Sequence, residues 1–209
     1  MSKNPFLHDL PKPKKKITKI FLDILQFIVI LLALVVVCYL FLVIPNQVDG
    51  DSMLPNFHDK ELLLTNKIIQ LIGDKKFMEK YDYNYKRGDV VIFQKPDHPD
   101  FIKRVIALPG DKIMIQGGYI YINGQKITEA YLPKDRQTRT YSFMSEGETK
   151  IVPEDQYFLM GDNRNNSKDS RFSDIGFVSR EHLKGRVFLR YWPLDSFEVI
   201  KTGEINYSN

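Results

Sequence analysis

Ser52 lies in the stretch Pro45-Asn46-Gln47-Val48-Asp49-Gly50-Asp51-Ser52-Met53-Leu54-Pro55, among small, polar and turn-forming residues just after an apolar run. A hydroxyl held there is a candidate nucleophile for acyl transfer, although serines in Gly- and Asp-rich turns ordinarily hydrogen-bond the local backbone instead. Two familiar serine motifs fail: G-x-S-x-G has Leu54 where the second glycine belongs, and S-x-x-K has Pro55 where the lysine belongs. A histidine base is poorly supported as well. His8 precedes the apolar run, and His58, His98 and His182 sit in polar surroundings with nothing that marks a triad.

A lysine is the remaining candidate base. Only a neutral amine accepts a proton, so such a lysine must be shielded from water enough to bring its pKa several units down from about 10.4. In Phe101-Ile102-Lys103-Arg104-Val105-Ile106-Ala107-Leu108, strand alternation puts Lys103 on one face with Phe101, Val105 and Ala107, and Arg104 on the other. Among apolar neighbours a lysine is costly unless its charge is paired or removed. The competing reading is an edge-strand lysine that snorkels its head to water.

A third cluster runs from Gly161 through Asp162, Asn163, Arg164, Asn165, Asn166, Ser167, Lys168, Asp169 and Ser170 to Arg171. It reads as a polar loop. An EF-hand reading fails on spacing, because Arg164, Ser167 and Ser173 fall where a liganding side chain, glycine and glutamate are required.

The elements that must position these residues begin with an apolar segment, Ile24 to Ile44, interrupted only by Gln26 and Tyr39. Its roughly 21 residues span a hydrocarbon core of about 30 Å as a helix. It is too long for the apolar region of a cleaved secretory signal, and Ile44-Pro45-Asn46 offers no small-residue cleavage site. Lysines lie before it and none stands between Lys19 and Lys60, which predicts a cytoplasmic N-terminus and an external C-terminal part. Even fully extended, Pro45 to Ser52 reaches at most about 25 Å, so Ser52 is expected near the bilayer surface.

The remainder reads as mainly β. Short β-branched and aromatic runs occur at Asp89 to Gln94, Phe101 to Leu108, Lys112 to Gln116, Tyr119 to Ile122, Gln125 to Ile127, Tyr157 to Met160 and Arg186 to Trp192. Asn123-Gly124 predicts a type I′ hairpin and Gly117-Gly118 a second turn, giving a meander from Lys112 to Ile127. Asn66 to Gly73 fits a short helix or a strand. Residues 128–150 lack a clear period and read as an exposed excursion or small subdomain.

Composition narrows the function classes. Of the 30 Lys and Arg, six lie within residues 1–45 against Asp9 and Asp23, which accounts for the whole net charge of +4. The rest of the chain is balanced, with no zinc-finger spacing and no aromatic-basic run, so nucleic acid is not an expected partner. Cys38, the only cysteine, excludes an intramolecular disulfide and a cysteine zinc site. The tripeptide Arg87-Gly88-Asp89 occurs often by chance and does not carry an adhesive function.

With an N-terminal membrane helix, the segments Gly50 to Pro55, Arg87 to Phe93, Phe101 to Asp111 and Gly161 to Arg171 together resemble the type I signal peptidases, membrane-bound serine proteases that act on exported proteins. The resemblance covers most of the external part except residues 128–150. It implies an antiparallel β-sheet catalytic domain with Ser52 as nucleophile and Lys103 as general base. It further implies that Ser167 hydrogen-bonds and orients the Lys103 amine, and that Asp169 and Arg171 form a structural pair. Some members carry a serine two positions before the nucleophile as an oxyanion donor; Gly50 stands there instead, as in the Gram-positive branch. Substrate pockets for an A-x-A cleavage site are expected near Val48, Met53, Phe101 and Ile102.

The implied organisation is a cytoplasmic basic tail over residues 1–16, a transmembrane helix and flank over 17–45 and an extracytoplasmic catalytic domain over 46–209. The implied partners are exported preproteins and the lipid bilayer of the plasma membrane, with no cofactor or metal and a monomeric chain. Competing readings are a self-processing Ser-Lys peptidase, which is usually soluble with a DNA-binding module, a non-catalytic relative that assembles surface fibres, and an unrelated tethered binding domain.

Overall fold

In the computed structural model the described residues are 15–72, 84–96, 98–134 and 136–208. The basic tail up to residue 14 and Gly73 lie outside them. The chain divides into two compact units, residues 1–41 and 42–209.

The first unit holds helix α1, Lys15–Leu42. Its segment Thr18–Val37 is long and apolar enough to cross a membrane. Side chains such as Phe21 and Phe27 stand exposed all round it, as befits a helix solvated by lipid rather than packed in a protein core.

The second unit is built of antiparallel strands: β1 (Val43–Gln47), β2 (Leu62–Asn66), β3 (Val90–Phe93), β4 (Phe101–Ala107), β5 (Lys112–Gln116), β6 (Tyr119–Ile122), β7 (Gln125–Glu129), β8 (Thr149–Ile151), β9 (Gln156–Met160), β10 (Val178–Ser179), β11 (Leu183–Trp192), β12 (Glu198–Val199) and β13 (Ile205–Ser208). One sheet runs β1-β2-β11-β3-β4-β9-β10, with β12 paired to β11; the other runs β13-β7-β6-β5-β8. The predicted meander is β5-β6-β7, and Asn123 and Gly124 both take positive φ, 55° and 84°, as its turn demands. Of the stretch from Asn66 to Gly73, Asn66 ends β2 and Ile68–Ile72 form a short helix, α2.

Pro45 falls in β1 at the edge of its sheet, where a residue without an N–H is tolerated. β4 is interior, between β3 and β9, and all its residues but Phe101 are buried. The alternation read from its sequence holds only as far as Val105. A register shift between Val105 and Ala107 brings Ile106 and Ala107 into one core cluster, while Val105 packs in another. Residues 128–150 are less exposed than their polarity suggests: Leu132, Thr138 and Met144 are all buried.

Candidate active site

The turn that carries Ser52 is anchored from below. Met53 and Phe57 are buried with Val48 in the core, and the Asn56 and Phe57 N–H groups both donate to the Met53 carbonyl at 3.0 Å. Gly50 has φ +78° with open space where a Cβ would stand, so backbone conformation, not crowding, favours glycine there. Its N–H donates to Asp59 Oδ1 at 2.8 Å. From above, Asn163 clamps the turn, its N–H donating to the Ser52 carbonyl at 3.1 Å and its Nδ2 to the Asp51 carbonyl at 3.0 Å. The Ser52 N–H has no hydrogen-bond partner among the described residues.

Lys103 reaches the same turn from β4. Its Nζ stands 2.7 Å from Ser52 Oγ and 2.7 Å from the Ile102 carbonyl. The lysine is only 2% exposed and is not on an edge strand, so the snorkelling reading does not hold. Burial lowers its pKa to about 8, against the opposing pull of the Asp169 and Asp162 carboxylates and with a smaller push from Arg171. A substantial fraction of the amine is therefore neutral near pH 8, and a neutral amine at this distance accepts the hydroxyl proton.

Asp169 and Arg171 form a two-pronged ion pair, Nε to Oδ1 and Nη2 to Oδ2 both at 2.8 Å, with neither side chain exposed. Asp169 also accepts the Gly161 N–H at 3.0 Å, and Arg171 donates to the carbonyls of Arg139 and Arg164. The expected hydrogen bond from Ser167 to the Lys103 amine is not made. Ser167 Oγ is buried without a hydrogen-bond partner among the described residues, and the amine is engaged by Ser52 and Ile102 instead.

A cleft of about 270 Å³ opens over the pair, lined by Ser52, Lys103, Ile92, Phe101, Ile102 and Asn166 among others. Phe101 and Ile102 thus stand in its wall. Val48 and Met53 do not: at 1% and 0% exposure they belong to the core that supports the turn.

The sequence reading missed the second buried ion pair. Arg104 donates to Asp162 through Nε at 2.9 Å and Nη2 at 2.6 Å, its guanidinium lies 3.8 Å from the Tyr131 ring centroid, and Asn56 Nδ2 donates to Asp162 at 2.8 Å. The available signal was Arg104 itself, a second cation in an apolar strand. In the tripeptide at 87–89, Arg87 binds Asp111 at 2.8 Å and Asp89 is buried, accepting from Thr202 at 2.7 Å, so it is not presented for adhesion.

Residues 21–192 match the family described as signal peptidase, peptidase S26. Signal peptidase I of Bacillus amyloliquefaciens is 34% identical over 184 residues, covering 87% of this chain and 92% of the relative. Signal peptidase I P of Bacillus subtilis subsp. natto is 35% identical over 196 residues, covering 91% and 98%. Signal peptidase IB of Staphylococcus aureus is 28% identical over 190 residues, covering 84% and 93%. The family match runs from within the apolar helix through the Ser52 turn, β4 and the loop at 161–171, and the chain therefore belongs to the signal peptidase family, peptidase S26, as a membrane peptidase of the signal peptidase I kind.

Proposed function

We propose that the chain removes signal peptides from exported preproteins by acyl transfer, with Ser52 as nucleophile and Lys103 as its base. The observation that carries this reading is the 2.7 Å approach of a buried lysine amine to a serine hydroxyl in an open cleft. Neutral Lys103 takes the Ser52 proton as Oγ attacks the scissile carbonyl. The amine returns it to the departing nitrogen of the mature chain, then draws a proton from water to release the signal peptide from the ester. Burial brings the amine's pKa down to about 8, which leaves a neutral fraction to act as the base.

The oxyanion falls to the unengaged Ser52 N–H, since Gly50 offers no hydroxyl. Asn46 and Gln47 of edge strand β1 border the cleft, so an extended substrate has a strand edge to pair with. Phe101 and Ile102 narrow the cleft and favour the small side chains of an A-x-A site. The lysine distribution supports a cytoplasmic N-terminus with residues 46–209 outside, on the side where the cleavage sites of exported preproteins emerge.

The test is cleavage of a purified preprotein by the full chain in detergent. Ser52→Ala and Lys103→Ala are expected to abolish turnover with the fold intact. Near wild-type activity in either variant would remove that residue from the mechanism.

A further inference from the structure

Among the described residues none of 128–150 lines the cleft, yet they reach into the loop at 161–171 through a buried charge. Glu129 ends β7, where pairing with Ile205 of β13 fixes its backbone, and its side chain is 9% exposed. Its carboxylate accepts from Arg164 Nη2 and from the Tyr131 hydroxyl. Arg164 is itself 1% exposed and donates through Nη1 to Thr138 Oγ1 at 2.9 Å. Its Nε donates to the Gly161 carbonyl at 3.1 Å.

Gly161 is where this matters. Its N–H is held by Asp169 and its carbonyl by Arg164, so both polar backbone groups are fixed by side chains. A Cβ added there would come 2.4 Å from the Ser52 carbonyl and 2.2 Å from Ser167 Oγ, which measures how closely this peptide abuts the Ser52 turn.

We propose that Glu129 is a positioning residue for the Ser52–Lys103 pair, acting through Arg164 on the Gly161 carbonyl. The proposal rests on the dyad reading above. A fully buried guanidinium that loses its carboxylate turns toward another, and Asp162 already acts on Arg164 electrostatically. Any such rotation carries Nε away from Gly161 and loosens the peptide against which the nucleophile is seated. Displacements of this size lower the rate of the chemical step rather than substrate affinity.

A simple structural ion pair makes a different prediction. Removing both partners of a buried pair commonly restores the stability lost on removing one. Positioning is not restored, because the Gly161 carbonyl still lacks its donor.

The experiment measures kcat, KM and thermal midpoint for preprotein cleavage by the full chain in detergent, for Glu129→Gln, Glu129→Gln with Arg164→Met, and Ser52→Ala. Glu129→Gln is expected to lower kcat about tenfold or more at unchanged KM and to lower the midpoint. The double variant is expected to regain the midpoint while kcat stays low. Recovery of kcat together with the midpoint, or wild-type kcat in Glu129→Gln, would overturn the role of Glu129 alone. Cleavage that survives Ser52→Ala would overturn the dyad, and this proposal with it.

Discussion

Gly161 stands so close to Ser52 that a Cβ on it would lie 2.4 Å from the Ser52 carbonyl oxygen. The same Cβ would meet Ser167 Oγ at 2.2 Å and Ser167 Cβ at 2.5 Å; the hydroxyl can swing aside, but the Ser52 carbonyl and the Ser167 Cβ cannot yield without moving backbone. Gly161→Ala is therefore expected to push the Ser52 turn out of place and cost about 1–3 kcal/mol of stability. Cleavage should fall about 100-fold. Adding Ser167→Gly relieves two of the three contacts but not the one with Ser52, so denaturation should show partial recovery of stability while activity stays low. Full recovery of activity in the double variant would show that the Ser52 contact does not matter.

The pH dependence of cleavage follows from Lys103. Burial holds its pKa near 8, so the neutral, proton-accepting fraction grows as pH rises through that value. The kcat/KM profile is expected to climb from acid pH and level off above an inflexion at about 8. Lys103→Arg should remove activity at every pH, because a guanidinium stays charged throughout. A flat profile from pH 6 to 9 would be incompatible with Lys103 as the base.

Much of this arrangement was legible in the residues, and the gaps have physical causes. Helix α1 is read from apolar length, and the β5-β6-β7 meander from its alternation and its Asn123-Gly124 turn, because each pattern is local. The edge or interior status of β4 is not local: it depends on β9 and β3 arriving on either side, and that decides whether Lys103 snorkels or is buried. The bonds that hold the site are longer in range still. Arg104 and Asp162 are 58 residues apart, Glu129 and Arg164 35, and no spacing rule pairs them. Val48 and Met53 were expected near the substrate pockets, but they are apolar residues of a tight turn over a core and pack into it. Residues 128–150 read as solvent-facing because they are polar, whereas Thr138 and Glu129 are the polar partners of a buried arginine.

The depressed pKa of Lys103 also has a stability signature. An unfolded lysine binds its proton with the ordinary value of 10.5, whereas the folded one releases it near 8. Between these values the unfolded state carries more protons, so stability rises with pH, and below pH 8 the cost of burying the ammonium is fully present. Lys103→Met keeps the length of the side chain without the charge. Relative to its value near pH 10.5, the stability difference between the two proteins should move by about 3 kcal/mol in favour of the variant below pH 7. Urea denaturation of both proteins across that range gives the comparison; a difference independent of pH would mean that Lys103 is not discharged by folding.

Asp162 couples the missed ion pair to the base. Its carboxylate is paired by Arg104 and favours the charged form of Lys103. Asp162→Asn keeps the shape and an acceptor oxygen but leaves the Arg104 guanidinium buried without its counter-charge, which should destabilise the protein by about 3–5 kcal/mol. It also removes one of the two carboxylates that hold the Lys103 pKa up, so the inflexion of the kcat/KM profile should move to lower pH. Loss of stability with an unmoved inflexion would assign Asp162 to scaffolding alone. A shift toward higher pH would contradict the electrostatic arrangement, because removing a negative charge near an amine cannot favour its protonated form.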